Sequence, residues 1–285
     1  MDVIENFDLT YSNSYRVGAI CRKAYFPNTI DDVVRICEYK NEQLIFLGGG
    51  YNVILSKPYY EESFVLLKKN FSRYSFENDL IKAQAGVELK ELSEQALQHA
   101  LTGLEMFYDI PSSLGGAIVM NAGASGEEIK DVLVNVTYLN KSTLKVHTID
   151  RSEMNFEYRN SIFQENSGEL IILEAQLKLA PGNKASIKEK MTQIYDARQA
   201  KQPKEYPNAG SVFKRPKGKF VGPMIEELGL KGFTIGGAKI SEKHAGFIVN
   251  TGNATGNDIL SIIEYVKNKV KAEFSVDLEV EQRVI

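Results

Sequence analysis

The chain has 285 residues, of which 43% are apolar and 25% charged, and a net charge of −3. This composition is typical of a globular protein of about two domains, and the lack of a basic block argues against a nucleic-acid partner. The sequence shows no signal-peptide pattern and no apolar run as long as a membrane span. Two cysteines and three histidines offer no disulfide framework and no marked metal site. We therefore expect a cytoplasmic protein without a metal and without a membrane contact.

The first part of the chain predicts strands around one helix. A strand over residues 20–25 ends at Pro27, and Thr29 is positioned to cap a helix that continues to about Asn41. A strand over residues 44–47 leads into three consecutive glycines, Gly48–Gly50. This order of elements is typical of a small α/β unit.

The middle of the chain is rich in predicted strands. A helix over residues 88–101 is expected to end at Gly103, and residues 71–78 are expected to be a polar link between two strands. Because strands and helices are mixed here, the predicted fold class is α+β. The predicted strands of this region cover residues 64–67, 80–85, 132–140, 145–150 and 170–179.

The last third alternates helices with clusters of small residues. The stretch PNAGSVF at residues 207–213 contains small residues of the kind that lie against a ligand. The predicted elements here are helices over residues 185–202, 221–228 and 257–274 and strands over residues 246–250 and 276–285.

Residues 109–128, DIPSSLGGAIVMNAGASGEE, contain four glycines and no charge between Ile110 and Gly126. A core strand or helix would not use so many residues that bury little apolar area and lose much entropy on ordering. Such a stretch suits backbone that lies directly against a ligand, with N–H groups free to meet phosphate oxygens. Together with Gly48–Gly50, it predicts two walls of one large site for an anionic cofactor.

Several common cofactor sites are disfavoured by their missing motifs. No G-x-G-x-x-G opens a helix, no G-x-x-x-x-G-K-[ST] is present, and H-E-x-x-H, C-x-x-C and G-x-S-x-G are also absent. The possibility that remains is a large phosphate-bearing ligand held on glycine loops of another type.

With these segments in view, the chain resembles the UDP-N-acetylenolpyruvoylglucosamine reductase family of flavoenzymes, and the resemblance extends nearly from end to end. The short distance from Arg159 to Ser211 is similar to the form of the family that lacks an inserted tyrosine-bearing loop. The matching segments are LGGGYN at 47–52, the stretch 110–126, YRNSIF at 158–163, AGSVF at 209–213, GGAKISEKHAGFIVN at 236–250 and LEVEQRVI at 278–285.

The resemblance implies two FAD-binding subdomains of the vanillyl-alcohol-oxidase type and a third, substrate-binding domain, all within the α+β class. The implied divisions are residues 1–72, 73–182 and 183–275, with the strand over 276–285 returning to the first. FAD is expected to bind without a covalent bond, and the chain is expected to be a monomer.

The implied reaction has two halves. NADPH reduces FAD, and the reduced flavin then reduces UDP-N-acetylglucosamine enolpyruvate to UDP-N-acetylmuramate, a precursor of peptidoglycan. By the resemblance, Arg159 binds the substrate carboxylate, Glu281 stabilises the enolate, and Ser211 donates the proton. A guanidinium suits a carboxylate through paired hydrogen bonds, and stabilising the developing charge requires groups placed in advance.

The resemblance also implies binding residues and shows departures from the family. The substrate-binding residues are Tyr158, Lys201, Arg215 and His244. The cofactor-binding residues are Leu47, Gly48, Gly49, Gly50, Tyr51, Asn52, Val53, Pro111, Ser112, Ser113, Gly115, Gly116, Ala117, Asn121, Ala122, Gly123, Gly126, Ile171, Arg198 and Arg283. The departures are Ala19 and Ser112 in place of glycine, Tyr51 in place of serine, Ser125 in place of tyrosine, and Gln282 in place of valine.

Two other functions fit the same glycine loops. One is an FAD-dependent oxidase of the same cofactor fold that passes electrons to oxygen, and the other is a flavin- or nucleotide-sugar-binding module without turnover. Taken singly, Arg159 would more often be a surface ion-pair residue, and Ser211 a loop or cap hydroxyl. Only the order of all the segments favours the reductase.

Overall fold

The computed structural model describes residues 1–39 and 41–285. These residues form two compact units. Unit 1 consists of Met1–Glu5, Arg22–Gly49 and Glu62–Ala197, and unit 2 of Asn6–Cys21, Gly50–Glu61 and Arg198–Ile285. Helices and strands are mixed along the chain, which confirms the predicted α+β class. The division into three domains stays a prediction.

The helices and strands follow one another in the order expected of an α+β protein. The helices are α1 (Ile30–Cys37), α2 (Leu89–Gln98), α3 (Leu114–Val119), α4 (Ile162–Glu165), α5 (Lys184–Lys201), α6 (Val221–Glu227) and α7 (Gly256–Phe274). The strands are β1 (Asp2–Asp8), β2 (Ile20–Phe26), β3 (Leu44–Leu47), β4 (Val53–Ile54), β5 (Tyr59–Leu66), β6 (Tyr74–Glu77), β7 (Leu80–Gln84), β8 (Leu101–Thr102), β9 (Gly123–Ala124), β10 (Glu127–Glu128), β11 (Leu133–Asn140), β12 (Lys145–Asp150), β13 (Leu170–Lys178), β14 (Ala180–Pro181), β15 (Thr234–Ile235), β16 (Ala238–Ile240), β17 (Ile248–Asn250) and β18 (Arg283–Val284).

The core of unit 1 lies around two sheets. One has the strand order β1-β2-β5-β3, in which β3 and β5 run parallel, and the other is antiparallel with the order β12-β11-β13-β7-β6. Apolar residues of these strands and of α1, α2 and α3 form one buried cluster. Its burial provides the main stabilisation of the unit.

Helix α1 begins as the sequence predicts. The Thr29 hydroxyl accepts from the backbone N–H of Asp32, and the Asp32 carboxylate accepts from the N–H of Thr29, so the two residues form a capping box. The helix ends at Cys37, before the predicted Asn41. Lys40, in the predicted continuation, lies outside the described residues.

Three predictions for unit 1 are wrong in detail. Residues 71–78 are not a polar link, because β6 lies within them and pairs with β7. Gly103 does not end helix α2, because the chain leaves the helix at Ala100, whose φ is 55°, and then enters β8. The glycine-rich stretch was expected to contain no helix, but it includes the short helix α3, whose first turn is capped by the Ser113 hydroxyl.

Unit 2 contains the sheet β15-β16-β17 and, packed with it, helices α6 and α7. Helix α7 begins with a capping box of Thr255 and Asp258 and buries an apolar stripe that includes Ile259 and Val266. The predicted final strand over 276–285 is shorter: only β18 is a strand, and it pairs in parallel with β4. Among the described residues, no helix has the length and apolar character that a membrane crossing requires.

Candidate active site

The two glycine-rich stretches meet in unit 1. Gly49 donates its backbone N–H to the Ser113 hydroxyl at 3.3 Å, and a Cβ on Gly48 would overlap the same hydroxyl. The stretch after Gly49 continues in unit 2, where Gly50 has a φ of 67° and a Cβ would overlap the carbonyl of Ser12. Glycine is therefore required in this loop for close backbone approach.

The backbone N–H groups at the start of helix α3, which the sequence had led us to expect free for a ligand, are bonded within the protein. The N–H groups of Leu114 and Gly115 donate to the carbonyls of Val87 and Ala85, both at 2.8 Å. Gly116 donates to the Ser113 hydroxyl at 3.4 Å. These groups are occupied within the protein, so the lack of a side chain at Gly115 serves close packing against Ala85. Cofactor contacts of α3 remain a prediction.

Arg159 lies against the second glycine-rich stretch. Its guanidinium donates to the carbonyl of Gly123 at 2.7 Å and to that of Asn121 at 3.4 Å. Arg159 has a φ of 55°, in the left-handed region that costs a non-glycine residue free energy. The guanidinium also lies over the ring of the half-exposed Tyr158, 5.1 Å from its centre. Unit 1 thus holds the predicted arginine on the backbone of the predicted cofactor loop.

Asn121 adds a buried acceptor beside this loop. Its side-chain nitrogen donates to Glu128 at 2.9 Å and to the carbonyl of Glu157 at 3.0 Å. Its Oδ1 is buried and has no hydrogen-bond partner among the described residues. An unpaired buried acceptor costs free energy, so a ligand donor is the expected partner. Near it, Gly126 has a φ of 92° and open space where a Cβ would stand.

Unit 2 brings Ser211 and Glu281 together. The backbone N–H of Glu281 donates to the carbonyl of Val212 at 2.8 Å, and Val212 in turn donates to the carbonyl of Gly246 at 3.0 Å. Ser211 is exposed and Glu281 half-buried, whereas their neighbours Val212 and Gln282 are buried. The bridge between Phe213 and Val280 sets Val212 opposite Glu281 and Ser211 opposite Gln282, so the two segments run antiparallel side by side.

The residues around Glu281 belong to the first glycine loop. The Asn52 side chain donates to the carbonyl of Glu281 at 3.2 Å, and Arg283 donates its backbone N–H to the carbonyl of Asn52 at 2.9 Å. Val53 pairs with Arg283 across strands β4 and β18. Unit 2 therefore places predicted cofactor residues next to a predicted catalytic residue.

His244 is held as a neutral imidazole. Its Nδ1 accepts from the backbone N–H of Gly246 at 3.0 Å, and its ring packs edge-on against Phe247. Burial lowers the pKa of His244 below its usual value. With Nδ1 as acceptor, Nε2 carries the proton and is the available donor.

The remaining predicted residues have less specific surroundings. Arg215 is exposed and lies 4.6 Å from the centre of the Phe220 ring, and Arg198 donates to the Gln202 side chain at 3.2 Å. Lys201 is exposed at the end of α5. Ile171 is buried on β13 in the core of unit 1. Pro111 is exposed, and Tyr51 and Ser112 are half-buried; Ala117 and Ala122 are joined by a backbone hydrogen bond of 2.8 Å.

Comparison with known proteins decides the family. Residues 202–285 match the family described as UDP-N-acetylenolpyruvoylglucosamine reductase, C-terminal domain, and residues 24–149 match the FAD binding domain. A UDP-N-acetylenolpyruvoylglucosamine reductase of Syntrophomonas wolfei is 43% identical over 276 residues, 96% of this chain and 91% of that protein. The chain belongs to the UDP-N-acetylenolpyruvoylglucosamine reductase family.

Further relatives of the family match the whole chain. The reductase of Francisella tularensis is 41% identical over 283 residues, which cover 99% of both proteins. The crystal structure of the MurB reductase from Thermus caldophilus aligns with a TM-score of 0.84 at 30% identity, over 99% of this chain and 98% of that one. The predicted family is therefore confirmed, and with it the enzyme class of FAD-dependent oxidoreductase.

The described residues fit FAD, the cofactor of this family. The unpartnered Oδ1 of Asn121 and the open space at Gly126 lie on the predicted cofactor stretch of unit 1, and the FAD-binding match includes both. The fit also accounts for the small residues of this stretch, because large apolar side chains would fill the space next to the backbone that the cofactor needs.

Sequence reasoning missed two residues near Ser211. Gln282 stood out only as a departure from the family, and Tyr15 was not singled out. The two side chains form a hydrogen bond of 2.9 Å although they are 267 positions apart. The one signal in the sequence was this departure, directly beside a predicted catalytic glutamate.

Proposed function

We propose that this chain reduces UDP-N-acetylglucosamine enolpyruvate to UDP-N-acetylmuramate, with NADPH as the source of electrons. The observation that carries the proposal is that the segments of Ser211 and Glu281 are neighbours, joined by the hydrogen bond of 2.8 Å from the Glu281 N–H to the Val212 carbonyl. The names of full-length relatives at 41% and 43% identity support the same substrate.

Arg159 is proposed to bind the carboxylate of the enolpyruvyl group. Its contacts with the Gly123 and Asn121 carbonyls fix the guanidinium in advance, so little entropy is lost when a carboxylate binds. The positive charge stabilises the negative charge that develops on that carboxylate during reduction. FAD, when bound, provides the hydride for the alkene.

Ser211 is proposed to hold the proton that completes the product. A serine hydroxyl is a weak acid, so it donates only to a strongly basic carbon such as that of an enolate. Glu281, as a neutral carboxylic acid, is proposed to donate a hydrogen bond to the same enolate. Asn52 holds the backbone of Glu281 at 3.2 Å and so limits its movement.

Asn121 and the glycine loops are proposed to hold the cofactor, and Tyr158, Lys201, Arg215 and His244 the nucleotide sugar. The Nε2–H of neutral His244 is a donor suited to a phosphate or sugar oxygen. All of these residues come from one chain, and we propose that it acts as a monomer in the cytoplasm.

The proposal is tested by product analysis. The FAD-loaded protein is incubated with NADPH and the enolpyruvyl sugar nucleotide, and the product is examined by mass spectrometry. We expect NADPH oxidation that depends on the sugar nucleotide and a product heavier by two hydrogens. Oxidation of NADPH at the same rate without the sugar nucleotide, with release of hydrogen peroxide, would instead support an oxidase.

A further inference from the structure

A buried set of hydrogen bonds adjoins the Ser211 segment in unit 2. The Gln282 side chain, 4% exposed, donates from Nε2 to the carbonyl of Ala209 at 3.0 Å and to that of Gly210 at 3.3 Å. The same nitrogen lies 3.5 Å from the carbonyl oxygen of Ser211. Its Oε1 accepts from the Tyr15 hydroxyl at 2.9 Å. One amide thus contacts three successive residues that end at Ser211.

Tyr15 holds the Oε1 end of this amide. Tyr15 is fully buried, and its carbonyl accepts from the Asn250 side chain at 2.8 Å. Burial raises the pKa of the Tyr15 hydroxyl, which therefore stays a donor. The carbonyls of residues 209–211 can only accept, so the NH₂ group of Gln282 faces them and Oε1 faces the Tyr15 hydroxyl, which donates to it.

The segment that receives these hydrogen bonds is also held by the Gly210 N–H, which donates to the Asn208 side chain at 3.1 Å, and by an antiparallel bridge between Ser211 and Phe247. Gly210 has a φ of 78° and open space where a Cβ would stand, and glycine permits many backbone conformations. The strand-like hydrogen bond to Gly246 begins only at Val212. Ser211, between them, is exposed. Its orientation consequently depends on how the preceding backbone is held.

We propose that Gln282, held in place by the hydrogen bond from Tyr15, is a positioning residue that fixes the Ser211 hydroxyl for proton transfer. The inference rests on the proposed function. Gln282 acts through the backbone of residues 209–211, and it also precedes β18 directly after Glu281 in the chain. Valine, which the resemblance gives at this position, has no donor and could not make these hydrogen bonds.

The test uses Gln282→Met in the FAD-loaded protein. Methionine keeps the length of the side chain and removes its donors. We expect NADPH to reduce the flavin at the wild-type rate. We expect reoxidation by the enolpyruvyl sugar nucleotide to be slowed about tenfold to a hundredfold, because displacement of a reacting group by up to about an ångström slows a reaction by that much. We also expect a larger solvent deuterium isotope effect on reoxidation and a KM changed by less than about twofold.

A double-mutant comparison separates positioning from general damage. In a Ser211→Ala background, Gln282→Met is expected to slow reoxidation little further, because both changes remove the same proton transfer. Thr255→Ala serves as the control, since it removes the cap of α7 in the same unit and should lower stability without slowing reoxidation.

The outcomes are distinct. Wild-type reoxidation in Gln282→Met, or an equal slowing with and without Ser211, would overturn the positioning role while leaving the proposed function intact. A wild-type protein that is not reoxidised by the sugar nucleotide would overturn the proposed function itself. If Gln282→Met does not fold, Tyr15→Phe is the second variant, and it is expected to slow reoxidation selectively as well; a Tyr15→Phe protein with wild-type reoxidation would contradict the inference.

Discussion

The Arg159 guanidinium donates to the carbonyl of Gly123 at 2.7 Å. A residue predicted to bind the substrate is thereby fixed to a stretch predicted to bind the cofactor, within one compact unit. The left-handed backbone of Arg159, with a φ of 55°, turns the side chain toward that stretch. Strain of this kind is common where a side chain must be placed for function.

Replacing Arg159 by lysine should lower kcat/KM for the enolpyruvyl substrate about a hundredfold while FAD stays bound. A lysine has a single charged group and cannot contact both loop carbonyls and a carboxylate as a guanidinium does. Steady-state kinetics measure the effect. Arg151→Lys is the control, because Arg151 is exposed and donates to the backbone carbonyl of Lys130; an equal loss in both variants would contradict the role of Arg159.

Replacing Ser211 by alanine should leave reduction of the flavin by NADPH intact and slow its reoxidation by the substrate. The hydroxyl is proposed to provide the proton, and general-acid catalysis contributes about a hundredfold or more. Stopped-flow absorbance separates the two steps. Unchanged reoxidation would remove Ser211 from its role.

At Glu281, glutamine should be tolerated better than aspartate. The proposed role requires a neutral hydrogen-bond donor at a fixed distance, and glutamine keeps both, whereas aspartate shortens the side chain and favours the charged form. The two variants are compared by their kcat. The opposite order would show that the negative charge of the carboxylate matters.

Gly48→Ala should weaken FAD binding. The new Cβ would overlap the Ser113 hydroxyl, which accepts from Gly49 and Gly116, so the loop and the start of α3 must separate. The flavin content of the purified protein and FAD titration measure this. Gly222→Ala is the matched control, because its Cβ would make only an ordinary contact 3.9 Å from the His244 ring; equal flavin loss in both would argue against a specific effect.

His244→Gln should flatten the dependence of stability on pH in mildly acidic solution. Because burial lowers the pKa of His244 in the folded protein, the unfolded chain binds a proton at higher pH. The free energy of unfolding is therefore unaffected above pH 6.5, the ordinary value, and falls as the pH drops below it. Urea titrations at several pH values measure the slope.

The sequence was sufficient for the features that local patterns determine. Thr29 caps α1 as predicted, and the glycines at 48–49 lie against Ser113 of the second glycine-rich stretch. Glycine clusters of this kind are informative because so few other environments favour them. The fold class and family followed from the same segments.

Features that depend on distant partners could not be predicted. Strand β6 has only four residues, with Tyr74 and Phe76 packed against the core, and its pairing with β7 completes it as a strand. The Tyr15–Gln282 hydrogen bond joins the two ends of the chain, and nothing in either local sequence indicates it. The N–H groups of α3 were expected to be free, but Val87 and Ala85 provide acceptors from another part of unit 1.

The most direct test of the proposed reaction is an anaerobic flavin cycle. The FAD-loaded protein is reduced with a stoichiometric amount of NADPH in the absence of oxygen, and the enolpyruvyl sugar nucleotide is then added while the flavin absorbance is recorded. The account predicts that NADPH removes the oxidised-flavin band and that the sugar nucleotide restores it. A reduced flavin that persists with the sugar nucleotide and is reoxidised only when oxygen is admitted would contradict the account.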